Sequence, residues 1–310
     1  MRKLPAAAFT LLLAGVGLTA CASDPVAACG PVPAGSNSAL VNSSGSTGVA
    51  PSIDFPRPLI ATSTERTVNT EGTGYPADAT SVIGANWSLL DGRSGELLDQ
   101  TDYAAEPALL ALGNLPAGLA EALRCAQAGD RISAVIPAEE MASSGAAFPG
   151  IGPADSLVAV FDIDSVYPSR ATGRDVPVIE PGFPTVVTDE NGTPGLTIPK
   201  SDPSTELKVA TLKRGDGPVV EADDTVLMHY TGALWSERTV FDSSWERGLP
   251  AQMNLAEVVP GFRDAVAGQT VGSQVIAVIP PELAYGDTAQ GTVPAGSTLV
   301  FVIDILGAEG

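Results

Sequence analysis

Gln274-Val275-Ile276-Ala277-Val278-Ile279-Pro280 decides the architecture, because its last four residues repeat Ala134-Val135-Ile136-Pro137. Upstream, Gly118-Leu119 pairs with Gly261-Phe262 and Gly129 with Gly272, all at the same offset. Downstream, Ser156-Leu157-Val158 and Asp162-Ile163 recur as Thr298-Leu299-Val300 and Asp304-Ile305, one residue out of register. One shared tetrapeptide would be chance. A co-linear series of this extent reads as a duplicated domain.

Both copies carry the same local pattern. Val226, Met228 and Tyr230 alternate with Leu227, His229 and Thr231, as along a strand. Gln274 to Ile279 and Leu299 to Ile305 are β-branched apolar runs of strand length. Between them, Pro260 to Ala267 reads as one short helix, opened by proline and closed by Gly268. Pro116 to Ala128, ending at Gly129, does the same in the first copy. One short helix among several strands predicts an antiparallel sheet wrapped over that helix, an α+β fold.

The second copy also carries a series of short motifs. They are Tyr230-Thr231-Gly232, Phe241-Asp242-Ser243-Ser244 with Arg247, Glu257-Val258-Val259-Pro260-Gly261-Phe262, Ile279-Pro280-Pro281-Glu282-Leu283-Ala284-Tyr285-Gly286 and Thr298-Leu299-Val300-Phe301. In this order and at this spacing they resemble the FKBP-type (immunophilin) peptidyl-prolyl isomerases, over residues 207–306. The resemblance implies two FKBP-like domains, each an antiparallel β-sheet over one short helix. The organisation expected is a lipoprotein signal at 1–21, a flexible tether at 22–50, a degenerate domain at 51–168, a proline-rich linker at 169–204 and an isomerase domain at 205–310.

Prolyl isomerisation needs neither nucleophile nor metal, and no cofactor is implied. The uncatalysed barrier is about 18–20 kcal/mol. Amide resonance is lost in the twisted transition state, so an apolar pocket favours that state over the planar, solvated amide. Carried over residue by residue, Tyr230, Phe241 and Phe301 match positions lining the proline pocket, and Phe262 matches its floor. Glu257, Val258 and Val259 match the pocket's edge. Tyr285 matches the hydroxyl donor to the substrate carbonyl, and Asp242 the carboxylate near it, held by Tyr230 and Arg247. The implied partners are Xaa-Pro segments of folding proteins, with macrolide inhibitors as further pocket ligands.

This chain departs from the pattern in places. Phe262 stands where the family usually has tryptophan, and Ala251 where an aromatic residue is common. In the first copy, Asn86 is read in place of Tyr230, Leu98 of Phe241, Ala104 of Arg247 and Ala142 of Tyr285, while Asp99 alone matches Asp242. A pocket so stripped is expected to be catalytically silent.

Arg2 and Lys3, then the apolar run Ala6 to Leu18, then Leu18-Thr19-Ala20-Cys21 read as a bacterial lipoprotein signal with Cys21 acylated. That run is shorter than the ~20 residues of a spanning helix. The expected location is extracytoplasmic, with a lipid anchor to the membrane. Cys29 and Cys125 are then left as a pair for which a disulfide is chemically permitted. A net charge of -20, from 16 Lys+Arg against 36 Asp+Glu, repels phosphates and excludes nucleic acid as a partner. Residues 169–205 carry many prolines, the turn Asp189-Glu190-Asn191-Gly192 and two short apolar runs, so both a stiff linker and a small hairpin fit. His229 is the only histidine, and no metal or nucleophile motif surrounds it. A non-catalytic chaperone or proline-segment binding module, and an inert surface antigen, are the rival readings.

Overall fold

The computed structural model describes residues 34–141, 148–178 and 181–310. The signal segment, Cys21, Cys29 and Ala142 thus lie outside the described residues. Among the described residues no helix is long and apolar enough to cross a membrane.

Among the described residues, a 3-10 turn at Ser38–Leu40 leads into two short strands, β1 (Asn42–Ser44) and β2 (Ser52–Asp54), paired with each other. The first large sheet follows: β3 (Glu65–Thr70), β4 (Val82–Asp91), β5 (Leu97–Gln100), β6 (Ala108–Ala111), helix α1 (Ala117–Leu123), β7 (Arg131–Pro137), helix α2 (Ala138–Met141) and β8 (Ser156–Tyr167). Its strand order is β3-β7-β8-β4-β5, with β6 also on β4. Next come β9 (Arg174–Asp175) and the hairpin β10 (Thr185–Thr188) and β11 (Pro194–Thr197). The second large sheet holds β12 (Lys208–Arg214), β13 (Thr225–Leu234), β14 (Val240–Ser243), β15 (Ala251–Asn254), helix α3 (Pro260–Val266), β16 (Gln274–Ile279) and β17 (Leu299–Glu309). Its order is β12-β16-β17-β13-β14, with β15 on β13 and β9 added at the β12 edge. All ladders within both sheets are antiparallel. The two copies share one topology strand for strand.

Each sheet closes over its helix. In the first, Ile132, Ala134 and Ile136 of β7 pack with Ala122 and Leu123 of α1. In the second, Val275, Ala277 and Ile279 of β16 pack with Phe262, Ala265 and Val266 of α3. Glycine makes the helix–strand approach possible in both. A Cβ at Gly118 would lie 2.4 Å from Ile136 Cγ2, and one at Gly261 would lie 2.3 Å from Ile279 Cγ2. This close approach accounts for the repeated Gly118 and Gly261.

The outer faces are also covered, which explains why β7 and β16 are buried at every position. On the first sheet, Val41, Phe55, Leu59 and Ala61 pack against Leu90, Val135, Val158 and Val160. On the second, Ile198, with Phe183, Val186 and Leu196, packs against Trp235, Ile276, Val278, Val300 and Val302. Each Val, Leu, Ile or Phe side chain so withdrawn from water is worth about 1.5–3 kcal/mol. Residues 34–61 are therefore a strap across the first sheet, not the free end of a flexible tether. Residues 169–178 and 181–201 form the matching strap on the second. Of the two forms that fitted this segment, the hairpin is present, with Gly192 at φ 97° in its turn.

One repeated aspartate anchors each strap. Asp162 and Asp304 occupy matching places on β8 and β17. Gly48 donates its N–H to Asp162 Oδ2 at 2.9 Å, and Ala171 donates to Asp304 Oδ2 at 2.8 Å. Arg131, itself 2 % exposed, adds ion-pair contacts to Asp162 and donates to the carbonyls of Gly45 and Ser46 at 2.7 and 2.8 Å. A guanidinium buried this deeply requires several acceptors. The strap's backbone supplies them, which is why composition rich in Ser and Gly here does not mean disorder. Cys125 is disulfide-bonded, and the other two cysteines, Cys21 and Cys29, lie outside the described residues.

Candidate active site

Four aromatic rings meet on the inner face of the second sheet. Phe301 from β17 stands at the centre, with Phe262 of α3 at 5.0 Å and 88°, Phe241 of β14 at 5.7 Å and 89°, and Tyr230 of β13 at 6.2 Å and 54°. Tyr230 and Phe262 also meet edge to face at 6.4 Å. Such edge-to-face pairs are each worth about 0.5–1.5 kcal/mol beyond area burial, so the walls are stiff. Tyr230, Phe262 and Phe301 are buried, while Phe241 is half-buried at the rim. Glycine at 232 leaves the room between them, since a Cβ there would lie 2.7 Å from both Phe241 Cζ and Phe301 Cε1.

Adjacent residues of a strand normally point to opposite faces. Phe241 and Asp242 nevertheless both serve the pocket, because the β13–β14 ladder shifts register between Gly232↔Asp242 and Ala233↔Val240. The extra residue, Phe241, forms a bulge that re-aims its neighbours.

At the mouth, the Tyr230 hydroxyl donates to Asp242 Oδ2, and Arg247 donates through Nη1 to Asp242 Oδ1. Arg247 Nη2 also donates to the Tyr230 hydroxyl at 2.9 Å, and its Cζ sits 5.5 Å over the Tyr230 ring. Partial burial pushes the Asp242 carboxyl up, but the Tyr230 hydroxyl and Arg247 guanidinium outweigh it and hold the carboxyl below its usual range. Burial and then the Asp242 hydrogen bond push the Tyr230 phenol up. At neutral pH the pair is thus a carboxylate and a neutral hydroxyl. Arg247 and Asp242 keep half and about two-fifths of their side-chain surface in water (50 % and 41 %), so their ion pair orders the mouth more than it stabilises the fold.

The remaining residues of the expected site lie around this core. Val258 and Val259 pack against the same cluster, and Val259 caps the start of α3. Glu257 is exposed on the turn before them. Tyr285 follows the 3-10 turn Pro281–Leu283 and is 36 % exposed. Its loop is fixed by Gly286 N–H to Pro281 O and Gly296 N–H to Gly286 O, both 2.8 Å. Behind Tyr230, His229 faces the opposite side of β13 and stacks on Trp245 at 3.9 Å, with Nδ1 2.8 Å from Ser244 Oγ.

The first copy requires a correction. Strand register pairs Trp87 with Phe161 and Tyr230 with Ile303, after the same bulge in β4 and in β13. Trp87, and not Asn86, therefore occupies the place of Tyr230, while Asn86 takes that of His229 on the other face. A slip of one residue in a strand exchanges the two faces. Applying the Asp99-to-Asp242 offset to the strand would have found Trp87. Leu98 does stand at Phe241's bulge position, and Ala142 lies outside the described residues.

A family model described as FKBP-type peptidyl-prolyl cis-trans isomerase matches residues 217–306. An FK506-binding protein of Streptomyces anulatus is 38% identical over 117 residues, which cover 36% of this chain and 94% of that protein. The FKBP-type peptidyl-prolyl cis-trans isomerase FkpA of Aeromonas hydrophila is 42% identical over 103 residues, covering 33% of this chain and 38% of the relative. Among solved structures, FkpA from Escherichia coli matches with a TM-score of 0.33 at 32% identity, covering 42% of this chain and 53% of that one. The chain belongs to the FKBP-type peptidyl-prolyl cis-trans isomerase family, through its C-terminal domain.

Proposed function

We propose that the four-ring pocket of the second domain receives the proline of an Xaa-Pro segment, in proteins that fold after export. The observation carrying this reading is the Tyr230–Asp242–Arg247 cluster at the mouth of a stiff aromatic pocket. Phe262 and Phe301 form the floor and back wall, Phe241 the rim, and Val258 and Val259 the edge on which the peptide backbone rests beside Glu257. The proline ring enters this low-dielectric space while its carbonyl turns at the mouth. There the Tyr285 hydroxyl donates to the displaced oxygen, and the Tyr230-bound Asp242 carboxylate disfavours the planar amide's dipole. Each 1.36 kcal/mol of preference for the twisted amide gives about tenfold in rate.

Isomerisation takes tens to hundreds of seconds uncatalysed, slow enough to limit folding. That need is greatest for chains emerging unfolded from a membrane, and it agrees with anchorage through a lipid on Cys21. Macrolide inhibitors are proposed ligands of the same pocket. The first domain, with Ala159 where the second has Phe301 and Ala104 where it has Arg247, is proposed to be catalytically silent.

The test is isomerisation of an Xaa-Pro peptide by the full chain, followed by NMR exchange, with Asp242→Val and Tyr285→Phe as variants. Acceleration that drops at least tenfold in Asp242→Val is expected. Equal rates for the wild type and both folded variants would overturn the assigned roles.

A further inference from the structure

The first domain holds an apolar cavity of about 220 Å³ at the place matching the second domain's pocket. Its walls include Trp87, Leu110, Leu119, Met141, Phe148 and Phe161, with Asp99 at the edge. Trp87 stands where Tyr230 stands in the other copy and makes the same contact: its Nε1–H donates to Asp99 Oδ2 at 2.8 Å. The donor–carboxylate pair at the mouth has thus been kept, with indole in place of phenol.

Two differences change what the cavity accepts. Ala159, Leu119 and Leu98 replace the rings of Phe301, Phe262 and Phe241, which clears space. An apolar cavity of about 150 Å³ already accommodates benzene. A volume of about 220 Å³ therefore takes a whole Phe or Leu side chain, larger than a proline ring. In addition, Arg247 has no counterpart, since Ala104 takes its place. Among the described residues Asp99 makes no ion pair, and it is exposed at the cavity's edge. An unneutralised carboxylate beside an apolar hole, on a chain of net charge -20, favours a ligand carrying positive charge next to its apolar group.

We propose that the first domain is a binding site for unfolded polypeptide segments in which a bulky apolar side chain is flanked by Lys or Arg. The apolar side chain fills the cavity under Trp87, and the cation pairs with Asp99. The site holds a chain without isomerising it, and so presents its prolines to the second domain. This last role rests on the isomerase reading above; the binding itself does not.

The test uses the full chain and proline-free, dye-labelled pentapeptides, Ala-Lys-Phe-Lys-Ala and Ala-Glu-Phe-Glu-Ala, read by fluorescence anisotropy. Isomerisation of a separate Xaa-Pro peptide is measured on the same samples. The lysine peptide is expected to bind at least tenfold tighter than the glutamate peptide. Asp99→Lys, an exposed charge reversal, should invert that order. Ala159→Phe, which restores a ring to the cavity, should weaken the lysine peptide at least tenfold and leave isomerisation unchanged. Leu119→Phe, on the helix, fills the same space and serves if Ala159→Phe does not fold. Equal binding of the two peptides, or undiminished binding by a folded cavity-filled variant, overturns the proposal. Peptide binding in a chain without isomerase activity would sustain it and defeat the catalytic reading instead.

Discussion

Gly232→Ala is the smallest change that tests whether the four rings are the pocket. The new Cβ would stand 2.7 Å from Phe241 Cζ and 2.7 Å from Phe301 Cε1. Ordinary contact begins near 3.4 Å, so both rings must give way by several tenths of an ångström. Phe301 is held edge-on by Phe262 at 5.0 Å and lies between β13 and β16, so it has little room to retreat. Overpacking of this kind costs about 1–3 kcal/mol. The ordinary gain from replacing a strand glycine by alanine, about 0.5–1 kcal/mol, offsets part of that in stability. It does not offset the distortion of the pocket. If the whole cost falls on binding the twisted proline, kcat/KM drops about five- to 150-fold. The assay is NMR exchange on an Xaa-Pro peptide, with thermal unfolding alongside. Adding Phe241→Leu removes the contact with Phe241 Cζ but leaves that with Phe301 Cε1, so stability should recover in part and turnover should not recover. A folded Gly232→Ala protein that turns over at the wild-type rate would refute the placement of the pocket between these rings.

Three further outcomes follow from groups away from the pocket. Arg131→Met leaves Asp162 buried without its cation and frees the carbonyls of Gly45 and Ser46; a loss of about 3–5 kcal/mol is expected, with hydrogen exchange rising across residues 34–61 first. Burial pushes the Asp304 carboxyl up to about 6, so its folded form holds a proton that the unfolded chain gives up. That contribution is complete below pH ~4 and is lost as pH rises through about 6, a difference of about 3 kcal/mol. Asp304→Asn should therefore lose, relative to the wild type, the gain in stability on acidification through this window. Burial, aided by the Arg247 charge, pushes His229 down to about 4, so its contribution is present above pH ~6.5 and is lost toward pH 4. His229→Gln should then resist acid better than the wild type, the opposite slope to Asp304→Asn in denaturant titrations run from pH 7 to 4.

The β-branched runs and the two Gly-bounded helices made the sheet-over-helix fold legible, because one repeat confirmed the other. The motif order placed Tyr230, Asp242, Arg247, Phe262 and Phe301, which the fold brings together from β13, β14, the turn after it, α3 and β17. The straps were less legible. Residues 34–61 offer isolated apolar residues, Val41, Phe55 and Leu59, with no period to mark them. The signal lay in the strands they cover: Val275 to Ile279 is apolar without alternation, which means both faces are buried. Trp87 was missed for another reason. Both copies carry the bulge at the same place, Gly84–Ala85 and Leu227–Met228, so one offset holds along the strand, and a one-residue departure from it exchanges a pocket wall for a residue of the opposite face.

The straps also define where this chain can be divided. A fragment begun at residue 205, where the family resemblance starts, would retain every pocket residue but would leave Trp235, Ile276, Val278, Val300 and Val302 facing water. A contiguous apolar face of that kind drives association. It would also leave the Asp304 carboxylate without the Ala171 N–H. The heritable and transplantable unit is therefore the catalytic sheet together with the thirty-odd residues ahead of it. Shuffling, secretion or proteolytic release of an active domain must cut near Ser169, between the last strand of one copy and the cover of the next.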